Sequence, residues 1–157
     1  MLEACRLESA DSIFDIEAAG RLLTASFAPW VLELGLKVEL VESGRPPGAP
    51  SDWQPGAVVR LPFSPGICHE SGAVCGQSLM ALADTSMVLA CAAAWNRYRH
   101  MTPIDQTMHF LRPVTFDVVA DARVVRIDRR TSFGRVMLYS DIDKRPVGMV
   151  ASAYATG

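Results

Sequence analysis

Within four segments between residues 104 and 153 apolar side chains fall largely at alternate positions. Ile104, Gln106, Met108 and Phe110 share one face of a strand, and Phe116, Val118, Ala120, Ala122 and Val124 share a face of the next. Phe133, Arg135, Met137 and Tyr139 make a third such set, and Val147, Met149, Ala151 and Ala153 a fourth. A period of two marks strands with one face turned to a core. Two shorter strands come earlier. Leu34, Leu36, Val38 and Leu40 alternate with Gly35, Lys37 and Glu39, and AVVRLPF follows at 57–63. Over 76–99 the alternation stops. GQSLMALADTSMVLACAAAWNRYR has no internal Pro or Gly, is rich in Ala, Leu and Met, and is apolar nearly all round, which predicts a buried helix. Asp84 sits in the middle of it. Residues 11–30 predict another helix, capped by Asp11 or Ser12, with Asp15 and Glu17 near its positive end and Pro29 closing it.

The connections are set by turn-formers. ESGRPPGAPSDWQPG (42–56) and SPGICHESG (64–72) are loops, and Arg112–Thr115, Asp128–Thr131 and Asp141–Pro146 are hairpin-sized. A long apolar helix followed by four strands implies an antiparallel β-sheet wrapped around a central α-helix, an α+β architecture. We see no internal repeat, and 157 residues make a single domain.

Composition narrows the function. A net charge of −2 argues against a dedicated nucleic-acid binder. The charge is uneven: residues 1–96 carry −6 and residues 97–157 carry +4, and 13 of the 15 basic residues are arginine. The acidic start lacks a signal-like apolar run, and no stretch reaches the roughly 18 uncharged apolar residues that span a bilayer. No membrane partner is expected. Cys5, Cys68, Cys75 and Cys91 show no zinc spacing, so no metal is expected and a reducing, cytoplasmic setting fits best.

Two motifs then stand out. SGAVCGQSLMALADTSM opens the long helix and MHFLRPV ends the strand after it. With the element order, these resemble the hotdog-fold acyl-CoA thioesterases of the phenylacetate-degradation (PaaI-like) type over roughly residues 30–156. Leu82-Ala83-Asp84-Thr85 and Phe110-Leu111-Arg112-Pro113 match the family pattern, and Cys75-Gly76-Gln77 stands where the family has His-Gly-Gly. The resemblance implies a hotdog core over 31–157 behind a helical extension over 1–30. It implies that Asp84 is the catalytic carboxylate, as general base or nucleophile, and that the Gly76 N–H polarises the thioester carbonyl. His69 falls where relatives orient water or substrate, and Thr102 is placed to assist. Cys75, Gln77 and Thr85 would adjoin the substrate. Arg112, Arg129 and Arg130 resemble positions lining the nucleotide end of coenzyme A, which enters as part of the substrate and not as a cofactor.

Thioester hydrolysis builds negative charge on the carbonyl oxygen, and free N–H groups at a helix N-terminus stabilise it. Arginine recognises phosphate bidentately. Helix geometry adds a constraint: Asp84 lies eight residues beyond Gly76, about 12 Å along the axis. One helix cannot aim both groups at one carbonyl, so the spacing predicts a two-fold homodimer with composite sites; the resemblance implies such a homodimer too, alone or as a dimer of dimers. Alternatives remain open. They are a non-catalytic acyl-CoA or acyl-ligand binding protein, a dehydratase built on His69 and an acid, a Cys75/His69 nucleophilic pair, and a structural dimerisation domain. Gln77, Met80 and Met87 suggest an adaptable apolar acyl pocket.

Overall fold

The computed structural model describes residues 13–157. Its elements are α1 (Ile16–Ser26), α2 (Pro29–Glu33), β1 (Lys37–Glu42), β2 (Gly56–Leu61), a 3-10 turn (Pro65–Ile67), α3 (Gly76–Trp95), β3 (Met101–Phe110), β4 (Val118–Ile127), β5 (Thr131–Ser140) and β6 (Pro146–Thr156). Asp11 and Ser12, the expected caps, lie outside the described residues, as does Cys5. The cap of α1 is Asp15, whose carboxylate accepts from the Ala18 N–H at 2.9 Å. Pro29 does not close this helix. The chain turns extended at Phe27 and Ala28, and Pro29 takes the first position of α2, where its missing N–H costs nothing.

All six strands form one antiparallel sheet in the order β1-β2-β4-β5-β6-β3. β4, β5 and β6 are the expected meander. β3 is not part of it. The segment after β3 is a crossover and not a hairpin: it carries the chain from the sheet edge, where β3 pairs with β6, to the centre beside β2. A period-two pattern tells which residues share a face and says nothing of which strand lies alongside.

α3 lies across the sheet, mostly on β2 and β4. It ends four residues earlier than expected, at Trp95, because Asn96 takes the left-handed conformation (φ 56°) and its N–H closes the last turn. The helix is long and apolar enough to cross a bilayer, and it is the core helix, buried on most of its surface. Leu82, Met87, Leu89 and Ala90 are fully buried against Val59, Leu61, Ala120, Ala122, Val136 and Leu138.

Faces and bulges refine the pattern. In β5 and β6 the larger apolar set (Phe133, Met137, Met149) is outward, and the helix rests on Gly134, Val136, Leu138, Gly148, Val150, Ser152 and Tyr154. The reason is space: a Cβ on Gly134 would sit 2.2 Å from the Met87 side chain. In β3 a bulge between Pro103 and Asp105 breaks the expected face. Met101, Pro103, Gln106, Met108 and Phe110 stand opposite inward residues of β6, and Ile104 is the extra residue.

The outer face is tied by Arg60 of β2. Its guanidinium bonds Glu39, Asp117 (3.2 Å) and Asp141 (2.8 Å), linking β1, β2 and the ends of β4 and β5. Arg60, and then Lys144, hold the Asp141 carboxyl well below the usual carboxylate range. A carboxyl whose folded pKa is depressed adds stability above its unfolded value, about 3.9, and loses it as pH falls toward the folded one. Asp141→Asn is therefore expected to lower the melting temperature at pH 7, with the gap to the parent protein closing below about pH 4. A gap of constant size down to the lowest pH at which the protein stays folded would show that Asp141 acts through packing instead.

Candidate functional site

The N-terminus of α3 is the floor of a cleft of about 430 Å³. Cys75 is the cap residue, and the first-turn N–H groups, beginning with Gly76, have no carbonyl four residues back to bind. Two loops converge there. In 68–74 the His69 N–H donates to the Ala73 carbonyl (3.0 Å) and the Gly72 N–H to His69 (2.9 Å), with Gly72 at φ +80°, so this loop folds back on itself. The Val74 N–H donates to the Val114 carbonyl (2.9 Å), pinning the loop to the crossover that carries Arg112. His69, Gly76 and Arg112 therefore line one cleft, with Phe110, Leu111 and Val114 as its apolar wall. Phe110 roofs Gly76 so closely that a Cβ there would meet the ring at 3.1 Å. Only glycine leaves this approach open.

Cys75 stands at the same end. The Ser78 hydroxyl, 3.2 Å from its sulfur, and N–H groups of the first turn hold the thiol below its ordinary pKa, against partial burial. The Cys75/His69 pair is not formed. The His69 ring is bonded to the Ser71 hydroxyl (2.9 Å), and Cys75 to Ser78. Gln77 is exposed beside them. Buried Cys91, with its thiol pushed up to about 12 by burial, belongs to the core.

Asp84 lies elsewhere. It is half-buried in mid-helix, and its Oδ1 accepts a 2.6 Å hydrogen bond from the Tyr154 hydroxyl of β6. Tyr154 pairs across the sheet with Pro103 of β3, so Asp84 stands level with the start of that strand, whereas Gly76 stands under Phe110 at its end. Gln106 lies between them, its side-chain amide donating to the Met80 carbonyl (3.1 Å). Thr102 and the Arg129–Arg130 hairpin lie at the Asp84 end, since Met101 pairs with Thr156, whose N–H donates to the Arg130 carbonyl (2.9 Å). Thr85 is 2% exposed and packs in the core.

The site residues thus fall into two groups at opposite ends of β3. His69, Cys75, Gly76, Gln77 and Arg112 form one, and Asp84, Thr102, Arg129 and Arg130 the other. Sequence reasoning missed Tyr154 and Phe110 as site residues. A signal existed for Tyr154: a phenol on an inward strand position needs a polar partner, and α3 carries a single acid. Among the described residues no group of three His, Cys, Asp or Glu side chains is placed to hold a metal ion.

The family model described as the thioesterase superfamily matches residues 72–147. No curated protein sequence matches the chain. Among solved structures, the chain is similar to the Escherichia coli PaaI protein from the phenylacetic acid degradation operon. That likeness has a TM-score of 0.71 at 18% identity, over 90% of this chain and 95% of that one. It is similar to a thioesterase from Haemophilus influenzae, with a TM-score of 0.73 at 18% identity over 93% and 92% of the two chains. A mutant of the phenylacetic acid degradation protein PaaI from Thermus thermophilus gives 0.65 at 26% identity over 82% and 98%. The matched segment, just under half of the chain, begins at the turn before α3 and reaches the start of β6, taking in α3, β3, β4 and β5, and the likeness to these structures shows that the chain has the hotdog fold of the thioesterases it resembles.

Proposed function

We propose that this protein hydrolyses the thioester of small to medium acyl-CoA molecules at sites shared between two copies of the chain. The observation that carries the reading is the separation of Gly76 from Asp84 at opposite ends of an unpaired sheet edge. Among the described residues β3 has no neighbour on its outer side, and Ile104, Phe110 and Met80 along it are 57%, 54% and 40% exposed. An edge of ten residues with such a surface is a template for a second strand. Pairing β3 antiparallel with its own copy about a two-fold axis near Gln106 and Thr107 brings Phe110 opposite Pro103 of the second copy. Gly76 of each copy then meets Asp84 of the other, and Arg112 comes level with Thr102 of the other.

In such a site the carbonyl oxygen accepts from the Gly76 N–H at the positive end of α3. Asp84 takes the proton of a water that attacks the carbonyl carbon, or attacks it directly to form a mixed anhydride that water then hydrolyses. On either route the carbon–sulfur bond breaks, and the thiolate of coenzyme A leaves and is protonated. Arg112 lies at the cleft mouth, and the Arg129–Arg130 hairpin reaches the same region from the second copy, so three guanidinium groups are available to phosphates. Replacing Arg112 by Ala is expected to raise KM for an acyl-CoA about tenfold at low salt, with less effect at high salt and little change in kcat. An unchanged KM for Arg112→Ala and for Arg129→Ala/Arg130→Ala would make these arginines ordinary solvated charges.

The test of the reading is turnover of an acyl-CoA panel by the parent protein and by Asp84→Asn. One alternative has an observation in its favour: position 75 carries Cys where the resemblance expects His, which fits a protein that holds acyl-CoA without turning it over. That alternative yields saturable binding and no product. The dehydratase reading needs a His–acid pair, and the His69 ring is bonded to Ser71.

A further inference from the structure

We propose that Tyr154 is the positioning residue of the Asp84 carboxylate. The inference rests on the reading that Asp84 acts on the thioester, and it adds how that carboxylate is held. Tyr154 is 1% exposed on the inner face of β6, with Ser132 of β5 on one side and Pro103 of β3 on the other. Fixed by two neighbouring strands, its ring cannot swing. Its hydroxyl reaches α3 and donates to Asp84 Oδ1 at 2.6 Å, the length of a charge-assisted O–H···O bond.

A half-buried aspartate without such a partner would turn freely about its last torsion. With Oδ1 held by the phenol, Oδ2 is the oxygen left for chemistry. Burial, and then the charge of Asp84, push the phenol above its ordinary pKa, so it stays protonated and remains a donor wherever the carboxylate is charged. The Ser152 hydroxyl on the same strand face stands beside the phenol. It is buried and has no hydrogen-bond partner among the described residues.

The test compares steady-state kinetics of the parent protein, Tyr154→Phe, Asp84→Asn and the double variant on the best acyl-CoA of the panel. Phenylalanine keeps the ring that fills the core and removes only the donor. A hydrogen bond to a charged group of this kind corresponds to a kcat lower by roughly ten- to a hundredfold in Tyr154→Phe, with KM within about twofold of the parent. The double variant should be no slower than Asp84→Asn alone, because the phenol acts only through the carboxylate. A folded Tyr154→Phe with parental kcat, one whose loss is all in KM, or a double variant in which the losses multiply would overturn the proposal. If Tyr154→Phe fails to fold, 3-fluorotyrosine at position 154 keeps ring and hydroxyl while strengthening the donor. It must shift kcat at constant KM, and an unmoved kcat overturns the proposal equally. Full activity in Asp84→Asn would refute the parent reading. An inactive Asp84→Asn beside a fully active Tyr154→Phe would refute this inference alone.

Discussion

Asp84→Asn is expected to reduce acyl-CoA turnover by about a thousandfold, the scale of losing a positioned general base or nucleophile. The substitution is chosen for what it leaves in place. The Asn side-chain oxygen can still accept from Tyr154, the side-chain volume is kept, and the helix around position 84 is buried by Leu82, Ala83 and Met87, which do not change. The melting temperature and the oligomeric state should therefore stay near parental values, so a loss of rate cannot be ascribed to unfolding. KM should move little, because in the proposed site the phosphates and the acyl chain contact other residues. If Asp84→Asn turns over the panel at the parental rate, Asp84 is a buried acid satisfied by Tyr154 and the catalytic reading falls.

The second large effect is a recovery. Gly76→Val should be inactive for a different reason: its side chain fills the space under Phe110, where a Cβ already comes to 3.1 Å of the ring. Mixed and refolded together in equal amounts, two inactive proteins, Asp84→Asn and Gly76→Val, should regain about a quarter of the parental activity, because half of the two-fold dimers are mixed and each mixed dimer has one site with both groups intact. Refolding either variant alone should recover nothing. A site contained within one chain gives a different result, since a mixed dimer would then hold two damaged sites and the mixture would stay inactive. The experiment thus separates the shared site from the self-contained one without a structure of the assembly.

Much of this molecule was readable before its structure. The α3 span was legible because a run without internal Gly or Pro, apolar on every side, has few ways to fold other than as a covered helix. Its end was less legible, since Asn96 stops the helix by adopting a conformation that no periodicity announces. The strands were found by alternation, but alternation is blind to partners. Nothing local told that β3 pairs with β6 and not β4, because that choice is made by the crossover around Val114 and by backbone pairing with a strand far along the chain. Glycines hid the inner faces of β5 and β6: Gly134 and Gly148 contribute no apolar side chain, so the outward set looked more hydrophobic than the inward one. In the candidate site, Asp84 and Gly76 came from the motifs that carry the family resemblance. Tyr154 did not, since it meets Asp84 only through the fold, 70 residues away.

The position of β6 has a consequence for how the molecule comes into being. β3 is made early, but its partner spans Pro146–Thr156, and the register joins Met101 to Thr156. Until synthesis passes residue 156 and that strand docks, β3 has no neighbour on either side and Asp84 has no phenol. Closing so long a loop is entropically slow, and contacts of this range are late events in folding. The helix and the strands β1, β2, β4 and β5 can collapse first, leaving the edge that carries both ends of the site as the final piece. A nascent chain paused before that point would expose an unpaired strand and the apolar flank of α3 together, which is the state most prone to stick to another copy in the wrong register.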